Sequence, residues 1–115
     1  MLFICYSKCS TCKKIQKIMD EKKMKYEFRD IKENPPTAKE LKKWHEKSGL
    51  DLVKFYNTSG IIYREQNIKE KRANMNLEEQ YQLLATDGML VKRPILIDGD
   101  DIYVGPLVKK FVEGK

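Results

Sequence analysis

The sequence predicts an α/β fold in which strand and helix patterns follow the order βαβ, then a block of helices, then ββα. Residues 1–31 show strand, helix and strand patterns in turn, residues 35–90 carry helix signals, and residues 91–115 return to strands and a last helix. A strand–helix–strand unit places its two strands parallel, with a right-handed crossover. We therefore expect a four-stranded mixed sheet with a helical insertion. The chain, at 115 residues, suits a single domain over residues 1–115.

The first βαβ unit is predicted from apolar spacing. Leu2–Tyr6 is an apolar run that indicates a strand buried on both faces. Ser10 or Thr11 is expected to cap the following helix, and alternating apolar and polar residues over Tyr26–Ile31 predict the second strand. The apolar positions that share one face of the intervening helix are Cys12, Ile15, Ile18 and Met19.

The inserted block is predicted from helix start and stop signals. Thr37 with Glu40 three residues later is a capping-box signature. A second short helix is expected over residues 50–56, before a turn-forming cluster. A third helix is expected to begin at Asn76 and to end by Gly88.

The C-terminal segment predicts a hairpin followed by a helix. Ile95–Ile97 and Ile102–Val104 flank Asp98-Gly99-Asp100, which suits an antiparallel turn. Pro106 is a favourable first residue for a final helix. Four strands in this βαβ…ββα order form the thioredoxin-like arrangement, here with helices inserted in its middle.

Composition excludes several kinds of function. The longest apolar run, Met1–Tyr6, is far shorter than the ~20 residues of a membrane span and lacks the features of a signal peptide. One His and three Cys exclude a zinc finger, a zinc hydrolase and a His-based triad, so no metal site is expected. The net charge of +6 comes mostly from lysines spread among acidic residues on helices. The charge by itself decides nothing about partners, and neither direct binding to nucleic acid nor binding to a membrane is expected.

The cysteines carry the predicted chemistry. Cys9 and Cys12 form a CxxC pair where the first strand gives way to the first helix. A helix N-terminus stabilises a thiolate, and Lys8 and Lys13 add positive charge, so Cys9 is the predicted nucleophile. Cys12, one turn along, is predicted to resolve the mixed disulfide; a merely structural pair is the alternative. Cys5, inside the strand, is expected to be a small buried hydrophobic residue.

A second candidate site lies just before the hairpin. In the predicted arrangement Pro94 faces the CxxC pair, and we expect the Arg93–Pro94 bond to be cis. Arg93 would then lie beside Cys9, where a guanidinium can hold a thiolate or an oxyanion. Backbone N–H groups at Ser10 and Thr11 can cradle an anion as well. The predicted substrate-binding set is thus Arg93, Pro94, Ser10 and Thr11, and an ordinary surface arginine is the alternative for Arg93.

Several segments resemble those of the arsenate reductase (ArsC) and Spx-like family, a thioredoxin-fold group with a helical insertion. The resemblance covers nearly the whole chain and is greatest to a short ArsC-like bacterial branch. The segments that carry it are Cys9–Cys12, Glu33–Pro36, Phe55–Gly60, Tyr63–Glu65 and, as the most specific one, Asp87–Ile95.

The resemblance implies a cytoplasmic thiol–disulfide oxidoreductase without a bound cofactor. Cys9 matches the family nucleophile, Cys12 the resolving cysteine of Spx-like members, and Arg93 one of three oxyanion-binding arginines. The other two arginines align near Asn57 and Gly105, so we expect arsenate turnover to be weak. Glutathione or another low-molecular-weight thiol is the expected co-substrate.

The expected partners are a small thiol, disulfide or oxyanion substrate, and glutaredoxin or thioredoxin as an electron donor. A cytoplasmic location also suits a reactive CxxC pair without an export signal. A different function is open as well. An Spx-like redox-sensing transcriptional regulator would bind the RNA polymerase alpha subunit.

Overall fold

A four-stranded mixed sheet lies at the centre of the protein, as described by a computed structural model of residues 1–115. Its strands are β1 (Leu2–Cys5), β2 (Glu27–Asp30), β3 (Ile95–Asp98) and β4 (Asp101–Val104), and their order across the sheet is β2-β1-β3-β4. Strand β1 is parallel to β2 and antiparallel to β3, which is antiparallel to β4. The predicted α/β fold class is confirmed.

Six α-helices and two short 3₁₀ turns accompany the sheet. The α-helices are α1 (Ser10–Glu21), α2 (Ala38–Ser48), α3 (Ile61–Glu65), α4 (Ile68–Ala73), α5 (Leu77–Ala85) and α6 (Pro106–Glu113). The capping box predicted at Thr37 is formed, and the helix predicted to begin at Asn76 begins there, with a capping box as well. Residues 52–55 form a 3₁₀ turn where a short helix was expected. Helices α3 and α4 have five and six residues, too few for a clear apolar repeat, and were not predicted.

The start of α1 differs from the prediction. Neither Ser10 nor Thr11 caps it, because the helix begins earlier and Cys9 is its N-cap residue. The carbonyl of Cys9 already accepts a helical hydrogen bond from the Lys13 N–H at 3.1 Å. Ser10 and Thr11 therefore lie in the first helical turn, and both are exposed.

The sheet separates two hydrophobic clusters, because successive side chains of a strand point to opposite faces. Phe3, Cys5 and Leu96 face helices α1 and α6 on one side. Ile4 and Ile95 face the inserted block on the other. The chain enters the inserted block after β2 and returns to the sheet before β3. No helix of the protein is long and apolar enough to cross a membrane.

A partly buried ion pair attaches the inserted block to the sheet. Arg29 in β2 donates two hydrogen bonds to Glu40 in α2, at 2.7 and 2.9 Å, and two more to the carbonyls of Asn34 and Pro35. The hydrogen bonds from Arg29, which outweigh burial, lower the pKa of Glu40. Its negative charge therefore stabilises the folded state at neutral pH.

We predict that Glu40→Gln lowers the free energy of unfolding at pH 7 by about 2 kcal/mol, because it removes the charge from hydrogen bonds with Arg29. Since the pKa is depressed on folding, the contribution is full above the unfolded pKa of ~4.3 and is lost as pH falls through the folded value. Urea unfolding of both proteins from pH 7 down to pH 3 measures this.

Glu78→Gln is the matched control, since Glu78 also lies in the first turn of a helix and pairs with a lysine, Lys42. Its side chain is 66% exposed, and we expect less than ~1 kcal/mol of destabilisation. Equal losses in the two variants, or a Glu40→Gln effect that persists at pH 3, would contradict the assignment.

Candidate active site

Cys9 is held at the junction of β1 and α1 by backbone contacts. Its N–H donates to the carbonyl of Tyr6 at 3.0 Å, and its own carbonyl accepts from the first turn of α1. The side chain is half-buried and the sulfur is a free thiol. The loop thus holds Cys9 at the positive end of the helix, as the sequence predicts.

The pKa of Cys9 is lowered. Burial raises it, but the backbone N–H groups of Cys12 and Thr11, together with the positive charge of Arg93, more than offset that effect. Both N–H groups belong to the first turn of α1, where free backbone donors stabilise a negative charge on the sulfur. Lys8 and Lys13, from which a contribution is predicted, are both exposed, and the groups that lower this pKa are the N–H groups of Cys12 and Thr11 and the side chain of Arg93.

The loop before β3 faces Cys9 as predicted. The Arg93–Pro94 bond is cis, which confirms that prediction. Pro94 is buried, and its carbonyl accepts a hydrogen bond from Gly105 at 2.8 Å. On the other side of the loop, the Lys92 N–H donates to the carbonyl of Phe55 at 2.8 Å. These bonds connect the loop to β4 and to the inserted block at once.

Arg93 has hydrogen-bonding capacity to spare. Its guanidinium lies over the Tyr6 ring, 5.6 Å from the ring centre, and its Nη1 atom is buried without a hydrogen-bond partner. Buried polar groups normally have partners, and an unpaired guanidinium N–H beside a reactive sulfur suits an anionic group of a substrate. The alternative of an ordinary surface arginine is therefore wrong.

Cys9 and Arg93 line a common pocket of about 370 Å³. Of the predicted substrate-binding residues, Thr11 and Pro94 line it and Ser10 does not. The lining contains three basic residues and no acidic one. Its members are Cys9, Thr11, Ile15, Asn57, Ser59, Lys92, Arg93, Pro94, Gly105, Pro106 and Lys109.

The pocket also contains residues outside the predicted substrate-binding set. Asn57 and Gly105, where the resemblance places family arginines, do line it, and neither carries a charge. Lys109 brings positive charge from α6, and Ser59 comes from the inserted block. The signal that could have indicated Lys109 is its position, one turn after Pro106, in a helix that begins beside the cis-proline loop.

The disulfide joins Cys12 to Cys5, and not to Cys9. Both cysteines are fully buried, and their Cα atoms are 5.9 Å apart, a usual separation for a disulfide. The N–H of Tyr6 points at the Cys12 sulfur at 3.2 Å. The expectation that Cys5 is buried is confirmed, but it is more than a small hydrophobic residue. Cys12 lies on the inner face of α1, directly over Cys5 in β1.

No cluster of three or more His, Cys, Asp or Glu residues is arranged to hold a metal ion. The chemically active groups that line the site are the Cys9 sulfur and the cationic groups around it. A thiolate at a helix N-terminus next to a guanidinium is an activated nucleophile.

The ArsC family model matches residues 5–108 of the chain. This protein belongs to the ArsC family. The uncharacterized protein YusI of Bacillus subtilis (strain 168) is 49% identical over 113 residues, covering 98% of this chain and 96% of YusI.

Solved structures agree with this membership. An ArsC family related protein from Bacteroides fragilis is 42% identical, with a TM-score of 0.89 over 99% of this chain and 96% of that one. A possible arsenate reductase from Streptococcus mutans UA159 is 44% identical, with a TM-score of 0.84 over 91% and 89% of the two chains. These likenesses support a thiol-dependent oxidoreductase.

A regulator is related to this chain at a greater distance. The global transcriptional regulator Spx 2 of Bacillus anthracis is 24% identical over 97 residues, which cover 84% of this chain and 72% of Spx 2. The ArsC fold is therefore shared by proteins with different roles.

We predict that brief iodoacetamide treatment of the reduced protein labels Cys9 before Cys5 and Cys12, because Cys9 alone is accessible and has a lowered pKa. Arg93→Ala should raise that pKa, so the midpoint of the rate–pH profile should move to higher pH and labelling at pH 7 should slow several-fold. Peptide mass spectrometry over a pH series measures both effects.

Lys13→Ala serves as the control, since this exposed lysine also lies near the start of α1. Its profile should coincide with that of the wild type. A shift as large as that of Arg93→Ala would contradict the role of Arg93, because it would show that general surface charge lowers the pKa of Cys9.

Proposed function

We propose that this protein is a thiol–disulfide oxidoreductase in which Cys9 attacks a disulfide that carries an anionic group and Cys12 resolves the mixed disulfide. The observation that carries the proposal is the free Cys9, with its lowered pKa, in one pocket with the unpaired Nη1 of Arg93. A low-molecular-weight thiol such as glutathione would form such a disulfide, since it combines one sulfur with carboxylates.

The first half of the reaction is an exchange at Cys9. The thiolate attacks one sulfur of the substrate, a bond forms between Cys9 and that sulfur, and the other half of the substrate leaves as a thiolate. The helix N-terminus and Arg93 keep Cys9 deprotonated for this attack. The cationic lining holds the substrate's carboxylates and thereby orients its sulfur.

The second half of the reaction releases the bound thiol. Cys12 loses a proton and attacks the Cys9 sulfur, a Cys9–Cys12 bond forms, and the second substrate thiolate leaves. The two electrons that reduce the substrate disulfide thus come from the two cysteines of the protein. The Tyr6 N–H, 3.2 Å from the Cys12 sulfur, stabilises negative charge on it during this step. A thiol reductant, either the low-molecular-weight thiol itself or glutaredoxin or thioredoxin, would return the electrons.

Arsenate would be a poorer substrate. The resemblance assigns arginine to three positions. In this chain only one of them, Arg93, is an arginine, and the other two are the uncharged Asn57 and Gly105. If two lost contacts cost ~3–6 kcal/mol, affinity for the reacting oxyanion falls by ~10² to 10⁴ relative to a three-arginine pocket. Lys92 and Lys109 add charge without the bidentate fork of an arginine.

We expect a coupled NADPH assay to show faster turnover with a glutathione mixed disulfide than with arsenate, because exchange needs only the sulfur and one anion contact. Arg93→Ala should reduce both activities. Arg93→Lys is the informative variant, since lysine keeps the positive charge and loses the paired N–H donors of the guanidinium. Relative to Arg93→Ala, we expect Arg93→Lys to restore more of the disulfide turnover than of the arsenate turnover.

Cys9→Ser is the control for thiol dependence and should have neither activity. Arsenate turnover equal to or above disulfide turnover in the wild type would show a dedicated arsenate reductase instead.

A redox-sensing regulator is the second candidate function, and its support is the relationship to Spx 2. In that case the cysteines would switch a docking surface for the RNA polymerase alpha subunit. We predict that immobilised protein, reduced or oxidised, does not retain purified alpha subunit, because the charged pocket around Cys9 is built for a small substrate. Surface plasmon resonance measures this. Redox-dependent micromolar binding, together with no disulfide turnover, would favour the regulator.

A further inference from the structure

We propose that Cys5 is a third redox-active cysteine, which takes over the disulfide from Cys9. Oxidation then ends in a buried Cys5–Cys12 bond and a free Cys9 thiolate. This inference rests on the proposed oxidoreductase function and extends it by one step. Its starting observation is the linkage in the structure, which joins the two buried cysteines and leaves the accessible one free.

The fold brings all three sulfurs to one place. Cys5 is the last residue of β1, Cys12 lies one turn into α1, and Cys9 lies at the start of that helix. Cys5 and Cys12 belong to the same buried cluster, and Cys9 packs against its edge. Cys12 is thus the only one of the three with a partner on each side: Cys9 along the helix and Cys5 beneath it.

The additional step is a balanced exchange. After resolution, the protein holds a Cys9–Cys12 disulfide and a Cys5 thiol. Cys5 gives up its proton and attacks the Cys12 sulfur, a Cys5–Cys12 bond forms, the Cys9–Cys12 bond breaks, and Cys9 leaves as a thiolate. No electron enters or leaves in this step, since one disulfide replaces another. Over the whole sequence, one substrate disulfide becomes two thiols and Cys5 and Cys12 become a disulfide.

The site favours the products of this exchange. Thiol–disulfide exchange runs toward the thiolate that its surroundings stabilise best. Cys9 has the helix N-terminus and Arg93 beside it, whereas Cys5 is completely buried among apolar side chains such as Phe3 and Leu96. An apolar interior disfavours a charged group and accepts a neutral disulfide.

The burial of Cys5 and Cys12 determines how the oxidised protein is reduced. A bulky reductant cannot reach Cys5 or Cys12, because both have no exposed surface. Reduction therefore runs backwards through Cys9, which attacks Cys12 and is then itself attacked by an external thiol. The oxidised protein thus keeps an accessible, activated thiol at Cys9. In a protein with a CxxC pair alone, the first cysteine is part of the disulfide after oxidation.

The test is a disulfide map after a single turnover. Fully reduced protein is treated under nitrogen with one equivalent of 5,5′-dithiobis(2-nitrobenzoate), quenched with N-ethylmaleimide at low pH, and digested with trypsin. Cleavage after Lys8 and Lys13 places Cys5 in one peptide and both Cys9 and Cys12 in another. A Cys5–Cys12 bond therefore joins two peptides, and a Cys9–Cys12 bond stays within one.

We expect the wild type to release two thionitrobenzoate anions, to give the joined peptides as the main product, and to carry the maleimide on Cys9. Release of two anions with the bond within one peptide, or with the maleimide on Cys12, overturns the role of Cys5 and leaves the oxidoreductase standing. No rapid release from the wild type overturns both proposals.

Cys5→Ala provides the second measurement. It should still release two anions but end with Cys9 blocked, so labelling of oxidised Cys9 should fall by about tenfold or more relative to the wild type. Val108→Ala, which truncates another fully buried residue of the same cluster, is the matched control and should give the wild-type map. An oxidised Cys5→Ala protein that keeps Cys9 free would contradict the proposal.

Discussion

Helix α1 packs on the sheet through an apolar face in which Cys12, Ile15 and Met19 are completely buried. This packing directs the N-terminus of the helix, and with it Cys9, toward the loops that end β1 and β4. The oriented N–H groups, the exposure of Cys9 and the burial of Cys12 all follow from it. A different rotation of α1 about its axis would expose Cys12 and remove Cys9 from the pocket.

The charge of the site comes from three separate parts of the chain. Arg93 and Lys92 belong to the cis-proline loop, Lys109 belongs to α6, and the helix N-terminus adds the dipoles of Thr11 and Cys12. Of these groups only Arg93 has a buried nitrogen atom, Nη1, that is left without a hydrogen-bond partner. The pocket is therefore attractive to anions in general, while strong and directional contact is limited to one guanidinium.

The presence of one arginine in the pocket bears differently on two reactions, the reduction of an oxyanion and disulfide exchange. Reduction of an oxyanion needs several donors that hold its oxygens as charge shifts. Disulfide exchange needs an activated thiolate, a leaving thiolate and a resolving thiol. In the function proposed above, Cys9, Cys12 and Arg93 meet the second set of requirements. In the proposed extension of it, the buried Cys5 receives the resulting disulfide out of contact with solvent.

The sequence by itself determined the features that depend on neighbouring residues. Several local signals each predicted their element: the capping box at Thr37, the helix start at Asn76, the alternation in the strands and the helix start at Pro106. The position of Cys9 at a helix start after a strand was predictable too, because it depends only on local signals. Only the tertiary structure decided which side chains come together: Cys12 is joined to Cys5, Arg93 lies over Tyr6, and Lys109 lines the same pocket as Cys9. Such contacts depend on the rotation of each helix against the sheet, and that rotation is the outcome of packing the whole core.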